Sequence, residues 1–330
     1  PPGPGPALMR GLVFIALLAA GTPRLGAEEA EKEDPFGAGD HAFTLDYRRR
    51  ERRYLVYLPE GYSRERRYPL VVLLEGGRGG LSLMREITLL GFEQLADREG
   101  IILAYPEPVV NVFNDGRGVR TIISHKERVD DVGFLSVVIS SVLAGFGGDR
   151  RRVYVAGFSS GGMMALRAAC ELSGDLAAAA SVSGGLASAV ASRCAPLVPV
   201  PVLLMHGDRD PLLPYDGRNA LLGQVPDGEK LSLPATINLF LGLNHCRKRP
   251  RISALEDKSP EDGTRVRLYA YERCREGTEV LLYKVENGGH TWPGKGQWQS
   301  VSSVGRTTRD IEATEEIWRF FLRHSLPEIR

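Results

Sequence analysis

Unbroken runs of apolar residues, each stopped by glycine, proline or polar turn residues, punctuate the chain. They include residues 70–74 (Leu-Val-Val-Leu-Leu), 101–105 (Ile-Ile-Leu-Ala-Tyr), 153–156 (Val-Tyr-Val-Ala), 178–182 and 200–205. Runs without alternation predict strands buried on both faces, as in a parallel sheet. Between them lie stretches that predict helices: residues 89–98, a segment opened by Asp130-Asp131, the run 163–169, and an amphipathic terminal helix over 308–322. In the last, Ile311, Ile317, Trp318 and Phe321 are the expected core contacts. Two further strands are predicted at 266–271 and 280–285, and two edge strands at 43–47 and 54–58. The arginine-rich stretch 48–53 between the edge strands predicts a solvated corner. Residues 218–264 predict one helix and a surface excursion rather than a second domain. Strands alternating with helices make the expected fold class α/β, a mostly parallel central sheet with helices on both faces.

Several of these strands deliver unusual loops. Residues 153–156 run into Gly157-Phe158-Ser159-Ser160-Gly161-Gly162, followed by a helix-compatible run. Gly-x-Ser-x-Gly between strand and helix is the context of a nucleophile elbow. The glycines permit a sharp turn and close helix packing, and Ser159 would stand at its apex. The backbone N–H of Ser160 would then face a developing oxyanion. Residues 70–74 run into Glu75-Gly76-Gly77-Arg78-Gly79-Gly80. That loop lacks the Lys-Ser/Thr ending of a phosphate-binding loop. Its Gly76 and Gly77 amides are candidates for the second oxyanion donor. Residues 200–205 deliver His206-Gly207-Asp208-Arg209-Asp210-Pro211, and residues 280–285 deliver Gly288-Gly289-His290-Thr291-Trp292-Pro293-Gly294.

Ser159, an aspartate and His290 follow one another in the order nucleophile, acid, base, the chain order of an α/β-hydrolase triad. A serine hydroxyl needs a base to remove its proton during attack, and histidine does this near neutral pH. Asp210 and Asp208 both qualify as the acid that orients the imidazole. Asp216 comes only after the following turn, and Glu75 sits before the glycine loop. His206 is placed to organise the acid loop; His41, His125 and His324 have no comparable context, and His245 adjoins Cys246. Phe113, Asn114 and Trp292 are candidates for lining a substrate pocket. Asp130-Asp131 reads as a helix cap rather than a metal site.

Composition narrows the function classes. With 42 basic and 41 acidic residues, and no sustained basic block, a nucleic-acid partner is not expected. No Cys-x-x-Cys pair occurs, and no metal or cofactor is expected. Residues 12–20 form a short apolar run after Arg10, with a candidate cleavage point after Ala27. They read as a signal peptide, with an uncleaved N-terminal anchor as the rival. The expected organisation is residues 1–27 as upstream extension and signal, 28–40 as a flexible leader, and 41–326 as one catalytic domain. The expected location is extracellular or periplasmic, with no stable membrane span after signal removal. In such a compartment Cys170, Cys194, Cys246 and Cys274 are disulfide candidates. Of the three pairings, Cys170–Cys194 with Cys246–Cys274 is the simplest by chain order.

The combination of motifs resembles the secreted esterase family that contains polyhydroxybutyrate depolymerases and feruloyl or acetylxylan esterases. The resemblance rests on residues 157–162, 206–211 with Leu213-Pro214-Tyr215, 288–294, Asn114-Asp115-Gly116-Arg117 and residues 130–134. It covers about residues 43–322 and implies Asp210, not Asp208, as the acid. It also implies an ester substrate, polymeric polyhydroxyalkanoate or esterified polysaccharide included. Three departures stand out. Glu75-Gly76 replaces a usual His-Gly, Phe113 replaces a usual Trp, and Asn244-His245-Cys246 replaces Asn-Gly-Cys. Two competing readings stay open on the sequence. One is an exopeptidase or other acyl hydrolase using the same triad. The other is a binding protein on a degenerate hydrolase fold, which Glu75 would suit.

Overall fold

The computed structural model describes residues 36–77, 82–217, 229–294 and 296–328. The expected signal peptide and the first part of the leader lie outside the described residues. The strands are β1 (Gly39–Tyr47), β2 (Arg50–Leu58), β3 (Tyr68–Leu74), β4 (Ile102–Pro106), β5 (Gly148–Phe158), β6 (Ala178–Val182), β7 (Val202–Gly207), β8 (Arg251–Ala254), β9 (Arg265–Tyr271) and β10 (Val280–Glu286). The helices are α1 (Ser82–Thr88), α2 (Gly91–Glu99), α3 (Ile123–Lys126), α4 (Asp131–Gly145), α5 (Ser160–Glu171), α6 (Ser188–Ala191), α7 (Leu233–Leu243), α8 (Val301–Val304) and α9 (Ala313–Phe321).

The strands form one sheet in the order β1-β2-β4-β3-β5-β6-β7-β10-β9-β8. From β4 to β10 every neighbouring pair is parallel. Antiparallel strands extend both edges. The α/β expectation is met, and the unbroken apolar runs explain it: β3, β6 and β7 are buried at every position. Alternate residues feed opposite cores. Leu70, Val72 and Leu74 join the core beneath α4, α5 and α7, while Val71 and Leu73 join the one beneath α1, α2 and α9. The parallel order places the ends of β3, β5, β7 and β10 at one edge, where the special loops emerge. No described helix is long and apolar enough to cross a membrane.

Four local expectations need correction. The helix expected over 89–98 is interrupted, because Leu89 and Leu90 take left-handed backbone angles between α1 and α2. The reversal lets both helices bury apolar side chains in the same core, Met84 and Ile87 from one, Phe92 and Leu95 from the other. The terminal helix starts at Ala313, since the preceding residues serve loops: Thr308 O accepts from Gly294 N, and Asp310 Oδ1 accepts from Lys258 N. The excursion within 218–264 supplies α7, but also β8, which lengthens the sheet. Finally, the arginine-rich corner is not wholly solvated. Arg52 is 3% exposed, 2.6 Å from the buried Asp131 carboxylate and 3.8 Å over the Phe134 ring.

Cys170 pairs with Cys194 and Cys246 with Cys274. The first ties the end of α5 to the segment after α6. The second joins the segment after α7 to the β9–β10 connection.

Candidate active site

β5 ends at Phe158, and α5 begins at Ser160. Between them Ser159 adopts φ 56° and ψ −120°, a backbone conformation that a side chain rarely takes. Its N–H donates to Val182 O of the neighbouring strand, which anchors the turn. The elbow is so tight that a Cβ on Gly157 would overlap the Gly161 backbone, and one on Gly161 would overlap the Leu74 carbonyl. Glycine at these two positions is a packing requirement. The result leaves Ser159 half-buried at the sheet edge, with the Ser160 amide at the N-terminus of α5.

The loops after β7 and β10 bring two partners to Ser159. His290 Nε2 is 2.9 Å from Ser159 Oγ, and His290 Nδ1 is 2.8 Å from Asp210 Oδ2. An ionised carboxylate only accepts, so Nδ1 carries the proton and Nε2 is left to accept from the hydroxyl. Asp210 is buried, and its Oδ1 accepts from the Leu212 and Leu213 amides, both at 2.8 Å. Burial alone would raise this carboxyl. The facing His290 and these hydrogen bonds outweigh it and hold Asp210 below the usual carboxylate range. The loops are locked together at close range: a Cβ on Gly207 would overlap the Gly288 carbonyl.

The rival candidates are employed otherwise. Asp208 faces Lys284 Nζ at 3.2 Å and accepts from Asn287 N. His206 donates through Nε2 to Leu213 O at 2.8 Å, closing the acid loop. Burial pushes its imidazole below the ordinary histidine value. His125 bridges the segment before α3, accepting from Val119 N and donating to Phe113 O.

The glycine loop after β3 lies against the elbow. A Cβ on Gly76 would be 3.2 Å from Ser159 Cβ, and one on Gly77 would be 3.8 Å from Ser160 Oγ. Of the pocket candidates, Phe113 has no exposed surface and packs in the core under α4 and α5. Asn114 is half-buried, donating through Nδ2 to Val129 O. Trp292 is buried in the other core, edge-on to Phe92 and Phe158.

Two contributors escaped the sequence reading. Asp131 follows the capping Asp130, whose Oδ1 accepts from Gly133 N as expected. Asp131 itself accepts from the Asn114 amide at 2.6 Å, so the buried Arg52–Asp131 pair also fixes the Asn114 segment. Its only sequence signal is the second carboxylate of the pair. Trp298 stands edge-on to Phe158 at 6.1 Å, and no motif marks it.

Comparison with known proteins adds the family. Residues 138–222 match the family model Phospholipase/Carboxylesterase. A protein named as an esterase, NocK of Nocardia uniformis subsp. tsuyamanensis, is 32% identical over 271 residues, covering 80% of this chain and 75% of NocK. The chain belongs to the α/β-hydrolase esterase family. Feruloyl esterase D of Neurospora crassa is 25% identical over 94% of this chain and 96% of its own. Feruloyl esterase B of Piromyces equi is 27% identical over 76% of this chain, which spans only 45% of that protein. Among solved structures, an acetyl xylan esterase from Aspergillus awamori superposes with a TM-score of 0.54 at 14% identity, over 82% of this chain and 94% of its own. That likeness concerns the fold alone.

Proposed function

We propose that the protein is a secreted serine carboxylic-ester hydrolase working through an acyl-enzyme. The carrying observation is the hydrogen-bonded series Asp210–His290–Ser159 at 2.8 and 2.9 Å. Ser159 Oγ attacks the ester carbonyl while His290 Nε2 takes its proton. Asp210 holds the imidazole tautomer and stabilises the imidazolium. The Ser160 amide, with Gly76 or Gly77, receives the oxyanion. His290 returns the proton to the leaving alcohol, then activates the water that frees the acid.

The substrate we favour is a feruloyl or acetyl ester of plant polysaccharide. The names of the feruloyl esterase relatives support that class. Of the pocket candidates, the half-buried Asn114 would contribute to the acyl side, since Phe113 and Trp292 are buried in separate cores. Two disulfides support an oxidising destination.

A substrate panel tests this: methyl ferulate, acetylated xylan, hydroxybutyrate oligomers, a p-nitrophenyl ester and a matched amide, with Ser159→Ala as control. The expected result is a kcat/KM on methyl ferulate or acetylated xylan at least about ten-fold above that on hydroxybutyrate oligomers. Preference for the oligomers would move the assignment to polyester hydrolysis, and preference for the amide to a peptidase.

A further inference from the structure

β3 hands the chain to Glu75, the residue immediately before the Gly76–Gly77 turn. Its side chain is deeply enclosed, with the residue 4% exposed. Neither carboxyl oxygen has a hydrogen-bond partner among the described residues. The charge that bears on it is Glu107, of the same sign and already 2.8 Å from Arg53. Among the described residues, ionisable groups on the neighbouring β4, α1 and α2 pair with one another or with Asp40. Tyr105 of β4 donates to Glu93 of α2, and Arg85 of α1 binds Glu93 and Asp40. Across the elbow, His290 is engaged by Asp210 and Ser159. A carboxylate here would lose its hydration and gain no hydrogen bond from the described residues. The group therefore stays protonated: burial, with Glu107 adding to it, pushes its pKa up to about 8.

The same short stretch of backbone builds the elbow's facing wall. Glu75 O lies so near Gly161 that a Cβ there would come within 2.5 Å of it. Gly76 faces Ser159 Cβ and the Phe158 ring.

Resting on the serine-esterase reading, we infer that Glu75 is a positioning residue that keeps the Gly76–Gly77 turn against Ser159 while neutral and releases it when ionised. The sign follows from the direction of the shift. Below the raised pKa the acid is neutral and the oxyanion wall is closed. As pH rises through it, the buried charge is relieved by opening, and transition-state stabilisation is lost. The loss falls on kcat more than on KM, because the turn acts on charge that develops only in the transition state.

The test measures kcat and KM on a p-nitrophenyl ester from about pH 6 to about pH 10 for the wild type, Glu75→Gln and Glu75→Met, with Ser159→Ala as blank. Wild-type kcat is expected to fall roughly thirty-fold between about pH 6.5 and about pH 9.5, the change in the neutral fraction of such an acid. In both neutral variants the ratio should shrink to within about three-fold, since no carboxyl titrates there. Thermal melts should show wild type still folded at the alkaline end. An alkaline limb that persists in the variants overturns the inference, as does a flat wild-type profile or global unfolding at that pH. Full turnover in Ser159→Ala would instead sink the esterase reading, so the two failures are distinguishable.

Discussion

Replacing Ser159 with alanine is expected to lower kcat/KM on a p-nitrophenyl ester by roughly 10⁴- to 10⁶-fold. The hydroxyl is the atom that His290 Nε2 addresses at 2.9 Å, and no other described hydroxyl is paired with that nitrogen. What remains after its removal is binding and oxyanion stabilisation, which cannot form an acyl-enzyme. The fold should survive. The strained conformation at φ 56° is set by the turn and by the Ser159 N–H to Val182 O bond, neither of which needs the hydroxyl. A melting temperature within about 3 °C of wild type would fit a small change at a half-buried position. Activity within ten-fold of wild type would remove Ser159 from the mechanism.

Asp210→Asn should cost about 10⁴-fold in kcat, the size seen generally when a triad carboxylate becomes an amide. The reason lies in the hydrogen bonds. The asparagine oxygen can keep the Leu212 and Leu213 amides that Oδ1 now accepts. Its NH₂ must then face His290 Nδ1, where Oδ2 stands at 2.8 Å. A donor there demands an acceptor, so the imidazole proton moves to Nε2 and can no longer take the serine proton. Asp208→Asn serves as the control. Its partners are Lys284 and the Asn287 amide, so its kcat should stay within about ten-fold of wild type. Equal losses in the two variants would mean the acid has been misassigned.

The candidate site is legible in the sequence because Ser159, Asp210 and His290 each lie within a few residues of the end of a strand built on an apolar run. Such strands identify themselves without knowledge of their neighbours, and a parallel sheet brings their ends together. The sequence did not separate Asp208 from Asp210 except through family resemblance. What separates them is which carboxylate reaches His290 across 80 residues of chain. Arg52 shows the limit more sharply. Amid five other charged residues it reads as solvated, yet it is buried because Asp131, 79 residues away, comes to meet it. The break at Leu89–Leu90 was equally hidden, since leucine favours the helix it interrupts here. By contrast, Asp130 capping Gly133 is a local pattern and is readable directly. His245 is instructive in reverse. It stands at φ 50°, the left-handed region glycine takes at no cost, at the position where the resemblance implies a glycine.

Glu75 joins these themes. As a departure from His-Gly it suggested a damaged site. In the fold it is a buried acid beside an intact constellation, which argues for a specialised turn.

A covalent acyl-enzyme on Ser159 is tested most directly by intact-protein mass spectrometry of enzyme acid-quenched during turnover of a p-nitrophenyl ester, followed by peptide mapping. The expected result is a mass increase of one acyl group on the peptide carrying Ser159, absent from Ser159→Ala. Ester turnover with no adduct on that peptide, or with the adduct on another residue, would contradict it.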